Sequence, residues 1–88
     1  MIERKLIITN KLGLHARAAA KLVTLASSFN SSIEIKTKCK TANGKSIMSV
    51  MMLAAGKGTE ITLVIEGDDE KETIAALEIL IQRRFDED

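Results

Sequence analysis

Two stretches of the chain step through the sequence with a period of two, and they limit the fold more than any other feature. Ile33, Ile35 and Thr37 alternate with Glu34, Lys36 and Lys38, and Ile61, Leu63 and Ile65 alternate with Thr62, Val64 and Glu66. Such a period places one set of side chains on one face of a strand. A sheet built this way has one apolar face, which needs a cover. Two segments have the helical spacing to supply it. Ala19, Leu22, Val23, Ala26 and Phe29 recur within about Ala16 to Phe29, and Ile74, Leu77, Ile81 and Phe85 form the stripe of a helix expected over about Glu70 to Arg84. Helices laid over one face of a sheet give a two-layer α+β domain, and residues 1–88 are expected to form a single domain of this kind.

The remaining elements follow from punctuation. Ile2 to Thr9 reads as a strand, and Asn10 to Leu14, with Gly13, as a loop. Asn30-Ser31-Ser32 stops the first helix. A short strand is expected around Cys39 to Ala42, with Cys39 an ordinary strand residue. Asn43-Gly44 marks a turn, and Ser46 is placed to cap a short helix over about Ile47 to Leu53. Asp69 and Glu72 have capping-box spacing ahead of the last helix. The acidic end, Asp86-Glu87-Asp88, opposes that helix's dipole and is expected to fray.

Composition removes several function classes. Thirteen basic and 12 acidic residues leave a net charge of +1, and Phe is the only aromatic type, present twice. Neither a basic field nor base-stacking aromatics point to nucleic acid. One Cys and one His cannot build a structural zinc site, so no metal or other cofactor is expected. The first residues, Met1 to Leu6, carry no signal-peptide core, and no apolar run approaches the roughly 20 residues of a membrane span. A cytoplasmic protein without membrane association is expected. Gly44-Lys45-Ser46 looks like the end of a P-loop, but the glycine that motif requires is replaced by Cys39, so nucleotide binding is rejected.

The only histidine, His15, stands between the Gly13 loop and the first helix. The first turn of a helix offers unpaired N–H groups and a partial positive charge, which together hold an anion. A phosphoryl group on the imidazole could accept hydrogen bonds from the backbone of Ala16 and Arg17, and the Arg17 guanidinium could add a charge-assisted contact. This equipment suits reversible phosphoryl uptake. It does not suit hydrolysis, because no second base is evident nearby. The plainer alternative is a histidine that only packs at a helix start, and His-x-Arg by itself does not exclude it.

The wider segment does more. Asn10-Lys11-Leu12-Gly13-Leu14-His15-Ala16-Arg17-Ala18-Ala19-Ala20-Lys21-Leu22-Val23 resembles the active-site motif of the HPr family, the histidine-containing phosphocarriers of the phosphoenolpyruvate-dependent phosphotransferase system. Gly44-Lys45-Ser46-Ile47-Met48-Ser49-Val50-Met51-Met52-Leu53 resembles that family's regulatory-serine segment, at matched spacing. The likeness runs from Met1 to Phe85. It implies an open-faced β-sandwich, a four-stranded antiparallel sheet with three helices on one face, in the order βαββαβα. It also implies a carrier rather than an enzyme, which takes phosphate at Nδ1 of His15 from phosphorylated enzyme I and passes it to an enzyme IIA-type domain. Arg17 carries over as the phosphate-positioning arginine. Ala18 departs from the family's usual proline. Alanine suits a helix and restores an N–H in the first turn, and the Ala18-Ala19-Ala20 run looks closer to the nitrogen-related NPr branch. Sugar uptake and nitrogen-related regulation both stay open.

Ser46 reads as an ordinary N-cap, and the resemblance adds a regulatory role through a dedicated HPr serine kinase/phosphorylase. Phosphate there would favour its own helix while placing about two negative charges beside a surface meant for acidic partners. Helix periodicity turns Val50 and Leu53 inward and leaves Ile47, Met48 and Met51 near His15 as an apolar docking patch. Met52 fits core or surface equally. Ala20 joins the docking set by resemblance. Lys45, Lys57 and Arg17 could ring the patch with positive charge, while Lys11 and Lys21 read equally well as solvated charges. The expected carrier is a monomer. A rival reading makes the chain a phosphorylation-dependent regulatory module acting on a transcription factor, kinase or transporter.

Overall fold

A computed structural model describes residues 1–87. The elements are β1 (Ile2–Ile7), α1 (Ala16–Ser27), β2 (Ser32–Lys36), β3 (Thr41–Asn43), α2 (Ile47–Met52), β4 (Glu60–Glu66) and α3 (Glu70–Gln82), with a tight turn at Arg84–Asp86. Their order is the βαββαβα order expected. The strands form one antiparallel sheet, β1-β4-β2-β3. Register explains why the sheet has an apolar face. Ile65 pairs with Ile33, Leu63 with Ile35, and Ile35 with Ala42, and all five are buried. Removing each large aliphatic side chain from water contributes about 1.5–3 kcal/mol. Ala19, Leu22, Val23 and Ala26 of α1 and Ile74, Leu77 and Ile81 of α3 complete the same core. The other face is open, and Lys5, Thr62 and Lys36 cross it in one row. The fold is therefore an open-faced β-sandwich.

Several boundaries differ from the sequence reading, each for a local reason. Strand β1 stops at Ile7, and Ile8 turns inward, exchanging backbone hydrogen bonds with Thr59 (3.0 Å) and Gly58 (2.7 Å). Helix α1 ends before Phe29, which is half-buried. The short third strand lies at Thr41–Asn43, and Cys39 is not a strand residue. It is exposed in a turn closed by the Thr37 N–H to Lys40 O bond of 2.8 Å. The Asp69–Glu72 capping box does not form. The Asp69 carboxylate instead accepts from the N–H groups of Asn30 (2.8 Å) and Ser31 (2.9 Å) and from the Ser31 hydroxyl. These donors outnumber what its own helix offers, and they tie the start of α3 to the segment after α1. The Ser31 hydroxyl first, then the Asn30 N–H, hold the Asp69 carboxyl below its ordinary value.

The end of the chain departs most. Phe85 is fully buried, as its place in the apolar stripe suggested, but not as a helical residue. Helix α3 stops at Gln82, and Arg84, Phe85 and Asp86 have φ of 57°, 55° and 60°. This left-handed turn folds Phe85 back into the core. The Lys21 ammonium donates to the Phe85 carbonyl at 2.7 Å, so Lys21 is not merely a solvated charge. The acidic end does not fray at Asp86 or Glu87. Asp86 pairs with Arg83 at 2.9 Å, and Glu87 is held as described below. Asp88 lies outside the described residues.

Candidate functional site

The loop carrying His15 is tied down from two sides. Asn10 is buried, and its amide donates to the Gly13 carbonyl at 2.8 Å. The Leu14 N–H donates to the Ala55 carbonyl at 2.8 Å, which fastens the loop to the segment between α2 and β4. Gly13 has a φ of 67° and sits so close to that segment that a side chain would have no room. The loop therefore delivers His15 to the start of α1 as its N-cap residue, with φ −78° and ψ −179°. The imidazole makes no capping bond to its own helix. The first-turn N–H groups, those of Ala16, Arg17 and Ala18, have no partner within the helix. Ala18 is fully buried at the third helical position, and α1 forms without the family's proline.

The His15 ring is 27% exposed, and Nε2 bonds the Glu87 carboxylate. The other Glu87 oxygen accepts from the Asn10 amide at 3.0 Å. Nδ1 makes no hydrogen bond among the described residues. The Asn10 amide leads, and His15 and the nearby Arg17 charge follow, in holding the Glu87 carboxyl below the usual carboxylate value, while partial burial opposes them. The expectation that no second base lies near His15 is thus corrected by Glu87. Around the ring is an open hollow of about 730 Å³, bordered by Lys11, Leu12, Arg17, Lys21 and Glu87 among others. Arg17 and Ala16 are exposed there. No group of three or more potential metal ligands occurs among the described residues.

The second segment is also present as a surface. Ser46 caps α2, its hydroxyl accepting from the Ser49 N–H at 3.3 Å. Val50 and Leu53 are buried. Ile47, Met48 and Met51 are exposed, Met48 at 69%. Met52 is exposed too, at 67%, so its core reading is set aside. Ala20 is half-buried on α1. Lys45 is less available than a rim charge, because its ammonium donates to the Phe29 carbonyl at 2.8 Å. Lys57 is exposed. Asn10 and Glu87 are the site residues that sequence reasoning missed. One is an ordinary loop residue in the sequence, and the other sits in an acidic end whose return to the loop depends on the turn at Arg84–Asp86.

A family model described as "PTS HPr component phosphorylation site" matches residues 2–83. The phosphocarrier protein HPr of Xylella fastidiosa (strain 9a5c) is 53% identical over 88 residues, covering 100% of this chain and 99% of that protein. The crystal structure of HPr-C-His from Thermoanaerobacter tengcongensis superposes with a TM-score of 0.96 at 46% identity, covering 100% of this chain and 99% of that one. An HPr dimer from the same organism matches with a TM-score of 0.79 at 47% identity, covering 99% and 100%.

Proposed function

Because the chain belongs to the HPr family of phosphotransferase-system phosphocarriers, we propose that it takes a phosphoryl group on Nδ1 of His15 from phosphorylated enzyme I and hands it to an enzyme IIA-type domain. The observation that carries this reading is the His15 ring itself. It stands at the N-terminus of α1 with Nε2 engaged by Glu87 and Nδ1 without a partner among the described residues. Uptake needs little covalent chemistry from the carrier. The Nδ1 lone pair attacks phosphorus, the donor's N–P bond breaks, and its electron pair returns to the donor nitrogen. The arriving oxygens meet the N–H groups of Ala16 and Arg17, the start of the helix dipole and the Arg17 guanidinium. Glu87 faces the far side of the ring, so it does not aim water at the phosphoryl group, which fits a carrier better than a phosphatase.

Docking is assigned to Ala20, Ile47, Met48 and Met51, with Arg17 and Lys57 as rim charges and Lys45 tethered at the border. Exposed, flexible methionines suit a surface that meets several partners in turn. Met48→Glu should weaken enzyme I binding at least tenfold in a titration and leave the thermal midpoint within a few degrees of wild type, since Met48 is exposed. A large drop in the midpoint would place Met48 in the core instead.

Ser46 is assigned as a regulatory site for an HPr serine kinase/phosphorylase. Its hydroxyl caps α2 beside the docking residues, so a phosphate there would add charge to the surface that partners approach. Ser46→Asp should slow phosphoryl acceptance several-fold with the circular-dichroism spectrum unchanged, and equal rates would remove the regulatory assignment. The carrier works as a monomer in the cytoplasm in this reading.

A further inference from the structure

We propose that Asn10 and Glu87 form a latch that fixes the His15 ring for transfer through Nδ1, with Asn10 holding both the Glu87 carboxylate, against the ring, and the Gly13 carbonyl of the loop. This rests on the phosphocarrier reading and adds positioning residues to it.

Asn10 is held in a way that stability alone does not explain. It is fully buried, and its amide nitrogen serves two acceptors, the Gly13 carbonyl at 2.8 Å and the Glu87 carboxylate at 3.0 Å. Two acceptors fix which end of the amide faces them. The amide oxygen is then left buried without a partner among the described residues. An unpaired buried carbonyl is destabilising, and a leucine of similar volume would not incur that penalty. What leucine could not do is hold a loop carbonyl and a tail carboxylate with one group.

The tail is strained in order to reach that group. Arg84, Phe85 and Asp86 are non-glycine residues in the left-handed region, where a side chain crowds the backbone. Burial of Phe85 and the Lys21 bond to its carbonyl hold the turn closed. The consequence is that Glu87 returns to the His15 loop, where one oxygen meets Asn10 and the other meets Nε2. Strain kept beside a reactive group is the expected place for a functional constraint.

The chemistry follows from the acceptor. A carboxylate at Nε2 takes a hydrogen bond from Nε2–H and leaves the lone pair on Nδ1. When Nδ1 bonds phosphorus, the donor's N–P pair returns to the donor, and the His15 ring gains positive charge. The proton stays on Nε2, and the Glu87 carboxylate faces the charge as it develops. When the phosphoryl group leaves, the Nδ1–P pair returns to Nδ1 and the neutral ring is restored in the same tautomer. The latch thus serves both directions of a relay.

The test compares Glu87→Ala, Asn10→Leu and the double variant in the full chain. The first change lies outside the apolar core, so it reports even if Asn10→Leu folds poorly. Phosphoryl acceptance from phosphorylated enzyme I should fall roughly tenfold in each single variant, the scale of losing a histidine's orienting partner. The loss in the double variant should fall well short of the product of the two single losses, because Asn10 and Glu87 share one bond in the latch. Independently of transfer, the Nε2–H proton of His15 should be protected and visible by ¹H–¹⁵N NMR in the wild type and lost in Glu87→Ala. An equally protected proton in Glu87→Ala, or a double variant whose loss is the product of the two single losses, would overturn the latch. Should wild-type protein accept no phosphate while the Nε2–H result holds, the carrier reading fails and the latch geometry stands.

Discussion

A methyl group at position 13 should disable the His15 loop. In Gly13→Ala, the new Cβ would run into the Ala55 carbonyl oxygen and lie 2.6 Å from the Gly56 Cα, both backbone atoms that cannot swing aside. The same residue has a φ of 67°, where a side chain adds its own strain. Relief requires the loop and the Ala55–Gly56 segment to part, which breaks the Leu14 N–H to Ala55 bond of 2.8 Å. Left-handed strain plus that lost bond sum to about 2–4 kcal/mol, a large share of the stability of a small domain. Chemical denaturation should show the loss as an earlier midpoint. Phosphoryl acceptance should fall with it, because the displaced loop carries His15. A variant with wild-type midpoint and wild-type acceptance would show that this close approach does not hold the site.

His15→Ala should abolish labelling outright. Incubated with enzyme I, Mg²⁺ and phosphoenolpyruvate, the wild type should become an acid-labile phosphoprotein and the variant should remain unlabelled. The fold should not suffer, since the imidazole makes no capping bond and its removal leaves α1 to start at Ala16 as before. The thermal shift should correspond to less than about 1 kcal/mol, as for most changes outside the core. Together these two substitutions separate the parts of the site. Gly13 acts through geometry and costs stability, while His15 acts through chemistry and does not.

Much of this fold could be read from residues with a strong period. Ile61, Leu63 and Ile65 announced β4, and Ala19, Leu22, Val23 and Ala26 announced the covering helix, because burial on one side leaves a regular trace. Strand order left no such trace, since the pairing of β4 between β1 and β2 is a property of the assembled sheet. The weak third strand shifted because only Ala42 among its residues is buried. At the site, His15, Arg17 and Ser46 were visible through helix starts and through resemblance. Asn10 and Glu87 were not. Their roles depend on a left-handed turn of ordinary residues, Arg84 to Asp86, whose conformation runs against local preference and is held by Phe85 and Lys21 from elsewhere in the chain. Asp69 failed as a helix cap for a related reason, since Asn30 and Ser31 offered donors that sequence spacing could not foresee.

Every role proposed for this site depends on a phosphoryl group carried on Nδ1 of His15. ³¹P NMR of the enzyme I-phosphorylated protein, combined with ¹H–¹⁵N correlation of the single histidine ring, reads the bonded nitrogen directly. One acid-labile phosphoryl group on Nδ1 is expected, with Nε2 still carrying its proton. A phosphoryl group on Nε2, or an acid-stable phosphate on any other residue with His15 unmodified, would contradict it.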